Sequence, residues 1–135
     1  MKKLFKKTHN KYKIKGKKTF NFVNSGSFGL KSISCGQLTK EKWESVRWAL
    51  RKKFKAKLST KQNKIWSLIQ LNNSLTKLNL ESRMGKGKGL VYTKSKFVRE
   101  GTILFEFDSF PQQFRKEIVE FIQNRIPLKL QLVSF

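Results

Sequence analysis

From Lys40 to Lys57 the apolar residues Trp43, Val46, Leu50 and Phe54 recur at helical spacing on one face, with Arg51, Lys52 and Lys55 roughly opposite. The pattern predicts an amphipathic helix, with Thr39 as N-cap and Glu41 in a first turn where the helix dipole favours an anion. Ser109-Phe110-Pro111-Gln112 predicts a second helix start: a capping Ser, an early Pro and a Gln three residues on. This helix runs to about Arg125, turns Phe114, Ile118, Phe121 and Ile122 inward, and has Pro127 beyond its end.

Other segments follow strand patterns. Ser25 to Gly36 reads as a turn and a short strand, with Phe28, Leu30 and Ile33 as apolar contacts. Lys64 to Leu71 is almost continuously apolar and predicts a central strand, followed by a polar connector from Asn72 to Ser82. Leu90 to Val98 and Thr102 to Asp108 read as strands joined by a turn at Arg99-Glu100-Gly101. In the second, Ile103, Phe105 and Phe107 alternate with Thr102, Leu104, Glu106 and Asp108, a half-buried pattern with the two carboxylates on a solvated or lysine-paired face. Leu128 to Phe135 reads as a final strand. Strands and two helices without βαβ alternation predict an α+β layered domain with a mostly antiparallel sheet.

Charge changes this picture most. The 135 residues carry thirty-one Lys+Arg against eight Asp+Glu, a net charge of +23. A compact body with that charge repels itself and calls for a polyanionic partner. Nucleic acid comes first, because dense cations release counterions from phosphates; an anionic membrane surface comes second. All the acidic residues lie from Glu41 onward, while the first forty residues hold eleven lysines. That asymmetry divides the chain into a basic arm, 1–24, and a folded body, 25–135. Phe5, Tyr12, Phe20 and Phe22 are interleaved in the arm, either to stack within a nucleic-acid fold or to pin the arm to its body. Trp48, among the basic residues of the first helix, has the same two readings: stacking on a partner or packing under a loop.

The chemistry of catalysis is missing. One cysteine, Cys35, and one histidine, His9, leave no internal disulfide, cysteine-built zinc site or nucleophile–base pair. No cofactor or metal is implied. No apolar run reaches the ~20 residues that span a bilayer, and the basic start lacks a secretory signal's apolar segment. Lysine outnumbers arginine 25 to 6, although arginine suits bidentate phosphate binding better, which points to an AT-rich coding genome.

The seven residues Arg83-Met84-Gly85-Lys86-Gly87-Lys88-Gly89 concentrate the functional signal. Glycine at alternate positions frees the backbone to present N–H groups to an anion, and Arg83, Lys86 and Lys88 add charge. The stretch is not a nucleotide-binding P-loop, because no Gly-Lys-Ser/Thr follows at the required spacing.

Several segments in order resemble a known family: Lys6-Lys7-x-His9-x-Lys11, Gly26-Ser27-Phe28-Gly29-Leu30-Lys31, Leu38-Thr39, Lys64-Ile65-Trp66, the Arg83 to Gly89 loop, Gly101-x-Ile103-Leu104-Phe105-Glu106 and Ile126-Pro127-Leu128-Lys129. Together they are similar to ribosomal protein sixteen of the large subunit, bacterial type, over almost the whole chain. The chain departs from that pattern at Leu68, where a basic residue is usual, and in the proline-free turn Leu71-Asn72-Asn73-Ser74.

The resemblance implies an α+β domain that binds large-subunit, 23S-like rRNA beside the A site and the peptidyl transferase region, and helps seat A-site tRNA. It implies neighbouring large-subunit proteins as partners. No membrane insertion, no homo-oligomer and no catalysis by this chain are expected, the last because one His, one Cys and few carboxylates assemble no catalytic constellation. The expected contacts are Arg83, Met84, Gly85, Lys86, Gly87, Lys88 and Gly89 of a projecting loop, and Lys6, Lys7, His9, Lys11 and Lys13 of an rRNA-threading arm. Trp48, Arg51, Lys52 and Lys55 of the first helix complete the set. A histone-like nucleoid DNA-binding protein is the alternative. The family's basic motif begins within a few residues of Met1, leaving no room for a cleavable import sequence. An organelle-encoded protein of the mitochondrial matrix is therefore expected, with a plastid or a bacterial cytoplasm as alternatives.

Overall fold

Residues 6–8, 21–57, 64–108 and 110–134 are described by this computed structural model. Among them the elements run β1 (Phe28–Ser32), β2 (Gly36–Thr39), α1 (Lys40–Lys57), β3 (Ile65–Ser67), β4 (Asn73–Lys77), β5 (Leu90–Val98), β6 (Ile103–Phe107), α2 (Gln112–Gln123) and β7 (Leu130–Ser134). The strands form two antiparallel sheets, ordered β3-β6-β1-β7 and β2-β5-β4. This is the expected α+β layered architecture, with the strands divided between two sheets.

The core lies where α1, α2 and the first sheet meet. Trp43, Val46, Leu50 and Phe54 of α1 are buried, as their spacing requires, with Trp43 stacked on Phe105 at 4.5 Å. Phe28 and Phe107 stack at 5.0 Å, and Phe110 meets Phe28, Phe54 and Phe107 edge-on. Ile118 and Ile122 seat α2 on this aromatic cluster. Lys53 of α1 reaches Glu117 of α2 at 2.7 Å and lies 4.5 Å from the Phe121 ring, while the Arg125 guanidinium approaches the same ring at 3.7 Å.

Several expectations from the sequence are corrected. β3 is a three-residue edge strand rather than a central one, since Leu68 is exposed and only β6 pairs with it. The polar connector contains β4, a strand whose pairing with β5 compensates for its weak apolar pattern. Ile33 is exposed. α2 has Pro111 as its N-cap with no side-chain cap bond, and the proposed capping Ser109 lies outside the described residues.

β6 is buried on both faces. Its register against β1 passes from Leu30↔Phe105 to Lys31↔Ile103, so Leu104 is a bulged residue. Leu104 therefore joins the core together with Phe105, and Ile103 turns to the opposite face near Gly29 and Val23. Glu106 is neither solvated nor lysine-paired: it is 1% exposed and its carboxylate accepts the backbone N–H groups of Asn24 (3.2 Å) and Ser25 (2.7 Å).

Candidate nucleic-acid interface

The glycine loop is the tip of a hairpin. β4 and β5 pair from Asn73↔Ser95 to Lys77↔Leu90, and residues 78–89 between them are exposed apart from the half-buried Gly89. Gly85 and Gly87 hold φ of 84° and 100°, a region that costs an L-residue roughly 1–2 kcal/mol. A Cβ at either would meet nothing within 4 Å, so these two glycines are required by conformation and not by crowding. Gly89 is different: a Cβ there would overlap the Lys77 carbonyl, so only glycine lets the chain re-enter β5 against the end of β4. The loop presents Arg83, Met84, Lys86 and Lys88 to solvent.

Lys7 and Thr8 are joined to this hairpin. Lys7 Nζ donates to the Lys88 carbonyl at 2.9 Å, and Lys88 Nζ donates to the Thr8 carbonyl at 2.7 Å. The Thr8 hydroxyl accepts from Ser74 N–H at 3.0 Å and reaches the Ser74 carbonyl at 3.3 Å. β4 is an edge strand, and Thr8 thereby satisfies backbone groups that an open edge leaves unpaired. Lys6 and Lys7 are exposed beside the loop's base. His9, Lys11 and Lys13 lie outside the described residues, as do Phe5, Tyr12 and Phe20; Phe22 is exposed.

A second cluster occupies the solvent side of α1. Trp48 is 65% exposed, which excludes a ring packed under a loop, and Lys52 Nζ stands 4.9 Å from its centroid. Arg51 is exposed beside them, while the Lys55 side chain lies outside the described set. Exposed aromatic and cationic groups together suit base stacking with phosphate neutralisation.

The sequence pattern missed Leu90 and Tyr92, large side chains of β5 that face solvent. An apolar residue in a strand reads as core; only the pairing register shows otherwise.

Glu41 stands where α1 meets the hairpin sheet. A hydrogen bond from Thr93, followed by one from its own backbone N–H, holds its carboxyl below the ordinary 4.5; the Thr39 hydroxyl and Lys40 add to this against a desolvation that raises it. A depressed folded-state pKa gives stability that is present above the unfolded value and lost as pH falls through the folded one. Thr93→Val is therefore expected to move the Glu41 titration up toward 4.5, read by carboxyl NMR; an unmoved titration would remove Thr93 as the cause.

Among the described residues, no three His, Cys, Asp or Glu side chains are placed to hold a metal, and no helix is long and apolar enough to cross a membrane. The sequence matches the family described as ribosomal protein L16p/L10e over residues 1–133. Large ribosomal subunit protein uL16m of Chondrus crispus is 36% identical over 129 residues, spanning 94% of this chain and 93% of that protein. Large ribosomal subunit protein uL16 of Buchnera aphidicola subsp. Cinara cedri (strain Cc) is 35% identical over 130 residues, spanning 96% and 91% respectively. With a match running almost end to end and the glycine loop set at the tip of a basic hairpin, the chain belongs to the ribosomal protein L16p/L10e family.

Proposed function

We propose that this chain is a structural constituent of the large ribosomal subunit that binds its rRNA near the A site and peptidyl transferase centre and helps to position aminoacyl-tRNA. Family membership supports the structural role, with rRNA and neighbouring ribosomal proteins as partners. The observation that carries the reading is the hairpin tip: positive-φ glycines alternate with exposed cations, and arm residues are bonded to its base. Such a backbone lies flat against a phosphate chain, and a charge of +23 drives counterion release from it. Recognition of this kind reads shape and stacking more than base sequence.

Arg83, Lys86 and Lys88 are the contacts nearest tRNA in this proposal, and residues 1–24 form an arm that threads rRNA beside a body of 25–135. The proposed location is the mitochondrial ribosome, supported by the similarity to uL16m.

The tagged protein is expected to co-sediment with large subunits at high magnesium; recovery only at the top of the gradient would sink the reading. Replacing Arg83 and Lys86 by Ala should lower affinity for rRNA fragments and flatten the slope of log K against log salt by about 0.7–0.9 per lost phosphate contact. Arg83→Ala alone should slow tRNA accommodation. Unchanged accommodation with normal co-sedimentation would make the loop an assembly clamp.

A further inference from the structure

An open cavity of about 420 Å³ lies between the start of α1 and the hairpin sheet, with Lys40, Glu41, Leu71, Tyr92 and Lys94 among its lining residues. We infer that this cavity receives a single extruded guanine of the rRNA, stacked on Tyr92 and held at its Watson–Crick edge by the Glu41 carboxylate. The inference rests on the RNA-binding reading above and adds to it a base-specific subsite.

Tyr92 is placed by a break in the ladder. Leu75 faces Thr93 and Thr76 faces Val91, leaving Tyr92 as the bulged residue of β5. A bulge re-aims a side chain, and this one leaves the ring 61% exposed at the cavity. An exposed aromatic ring in a protein of this charge is a stacking platform, since every base has a π-face. Leu71 and Val91 supply apolar lining, and the volume is in the range of small-ligand pockets.

Glu41 decides which part of the RNA enters. A carboxylate repels phosphate, so it turns away the backbone that the rest of the surface attracts. It accepts N–H donors, and guanine presents two adjacent ones, N1–H and N2–H. Adenine and cytosine each offer one amino group beside an acceptor, and the single N–H of uracil lies between two acceptors. A carboxyl titrating at or below its ordinary 4.5 is ionised at neutral pH, so Glu41 is an acceptor there. Lys40, 3.8 Å from Glu44, and Lys94 stand at the same cavity, where they attract the flanking phosphates. They also disfavour the other occupant that a carboxylate and an aromatic ring would suit, a basic side chain of a neighbouring protein.

Kethoxal, which modifies the N1 and N2 edge of unpaired guanine, tests this on large subunits that carry the protein. One guanine protected in wild-type particles should become about tenfold more reactive with Glu41→Gln and with Tyr92→Ala, the scale of a lost stacking contact. Both side chains are exposed, so both variants should remain in the particle. Ultraviolet crosslinking of the wild type should place a guanosine adduct on the Tyr92 peptide, a readout that needs no variant. An unchanged kethoxal pattern in particles that retain the variants, with no adduct on Tyr92, would overturn the subsite and leave rRNA binding standing. A carbodiimide crosslink from Glu41 to a lysine of another protein would overturn it in favour of a basic tail. Absence of the wild-type protein from large subunits would instead overturn the broader reading.

Discussion

A Phe107→Ala variant is expected to lose about 3–5 kcal/mol of folding stability. Phe107 is fully buried in β6, paired to Phe28 of β1 on one side and Ile65 of β3 on the other. Its ring stacks on Phe28 at 5.0 Å, meets Phe110 edge-on at 5.6 Å and lies 6.2 Å from Phe105. Truncation removes the transfer free energy of the ring and leaves a cavity on the core face of the sheet, among Phe28, Phe105 and Phe110. It also removes aromatic contacts worth about 0.5–1.5 kcal/mol each beyond area. Against a domain stability of about 5–15 kcal/mol, this change alone is enough to bring the free protein near its threshold. Urea unfolding measures it: at an m of about 2 kcal/mol/M the midpoint should fall by about 2 M. Phe107→Leu, which refills most of the volume, should lose about half as much. A loss below about 1 kcal/mol for the Ala variant would show that the aromatic cluster is not the centre of the core.

Glu106→Ala has the second largest expected effect, about 2–4 kcal/mol. A buried carboxylate in the middle of a strand is costly unless its lone pairs are used, and here each oxygen takes one of two consecutive backbone N–H groups, those of Asn24 and Ser25. Hydrogen bonds to a charged group contribute about 1.5–3 kcal/mol each, and removing the acceptor leaves the donors to find water or go unmet. Loss of the buried charge offsets part of this, so the net falls below the sum. Glu106→Gln keeps one acceptor oxygen but turns an amide N–H₂ toward the other donor, and should recover less than half of the loss. Amide hydrogen exchange gives the specific readout. Asn24 and Ser25 should lose protection in both variants while β1 keeps its own. Unchanged protection at those two amides would disconnect Glu106 from the segment that leads into the arm.

These two neighbouring residues show how far the sequence reached. Alternation in Ile103 to Phe107 identifies a strand and puts Phe105 and Phe107 in the core, and the structure agrees. The same alternation assigns Glu106 to solvent and Leu104 to the face opposite Phe105. Both assignments are overturned by interactions that alternation does not encode: residues 23–25 cross that face of the sheet, and the register break against β1 turns Leu104 inward. The proposed binding surface divides in the same way. The positive-φ glycines and cations of the 83–89 loop were legible, because conformational freedom and charge are properties of the residues themselves. The attachment of Thr8 to Ser74, 66 residues away, was not.

By itself the sequence determined α1 at about Lys40 to Lys57, the full extent of β5, the buried stripe of α1, the strong positive charge and the family. All of these rest on local periodicity, on composition or on residues in a fixed order. Only the tertiary structure decided that β3 is an edge, that β4 exists, that Tyr92 bulges toward a cavity and that Glu106 is buried. Each of those depends on which distant segment supplies the hydrogen bonds. A strand's position, register and exposed face belong to the pair that forms it and cannot be read from one member alone.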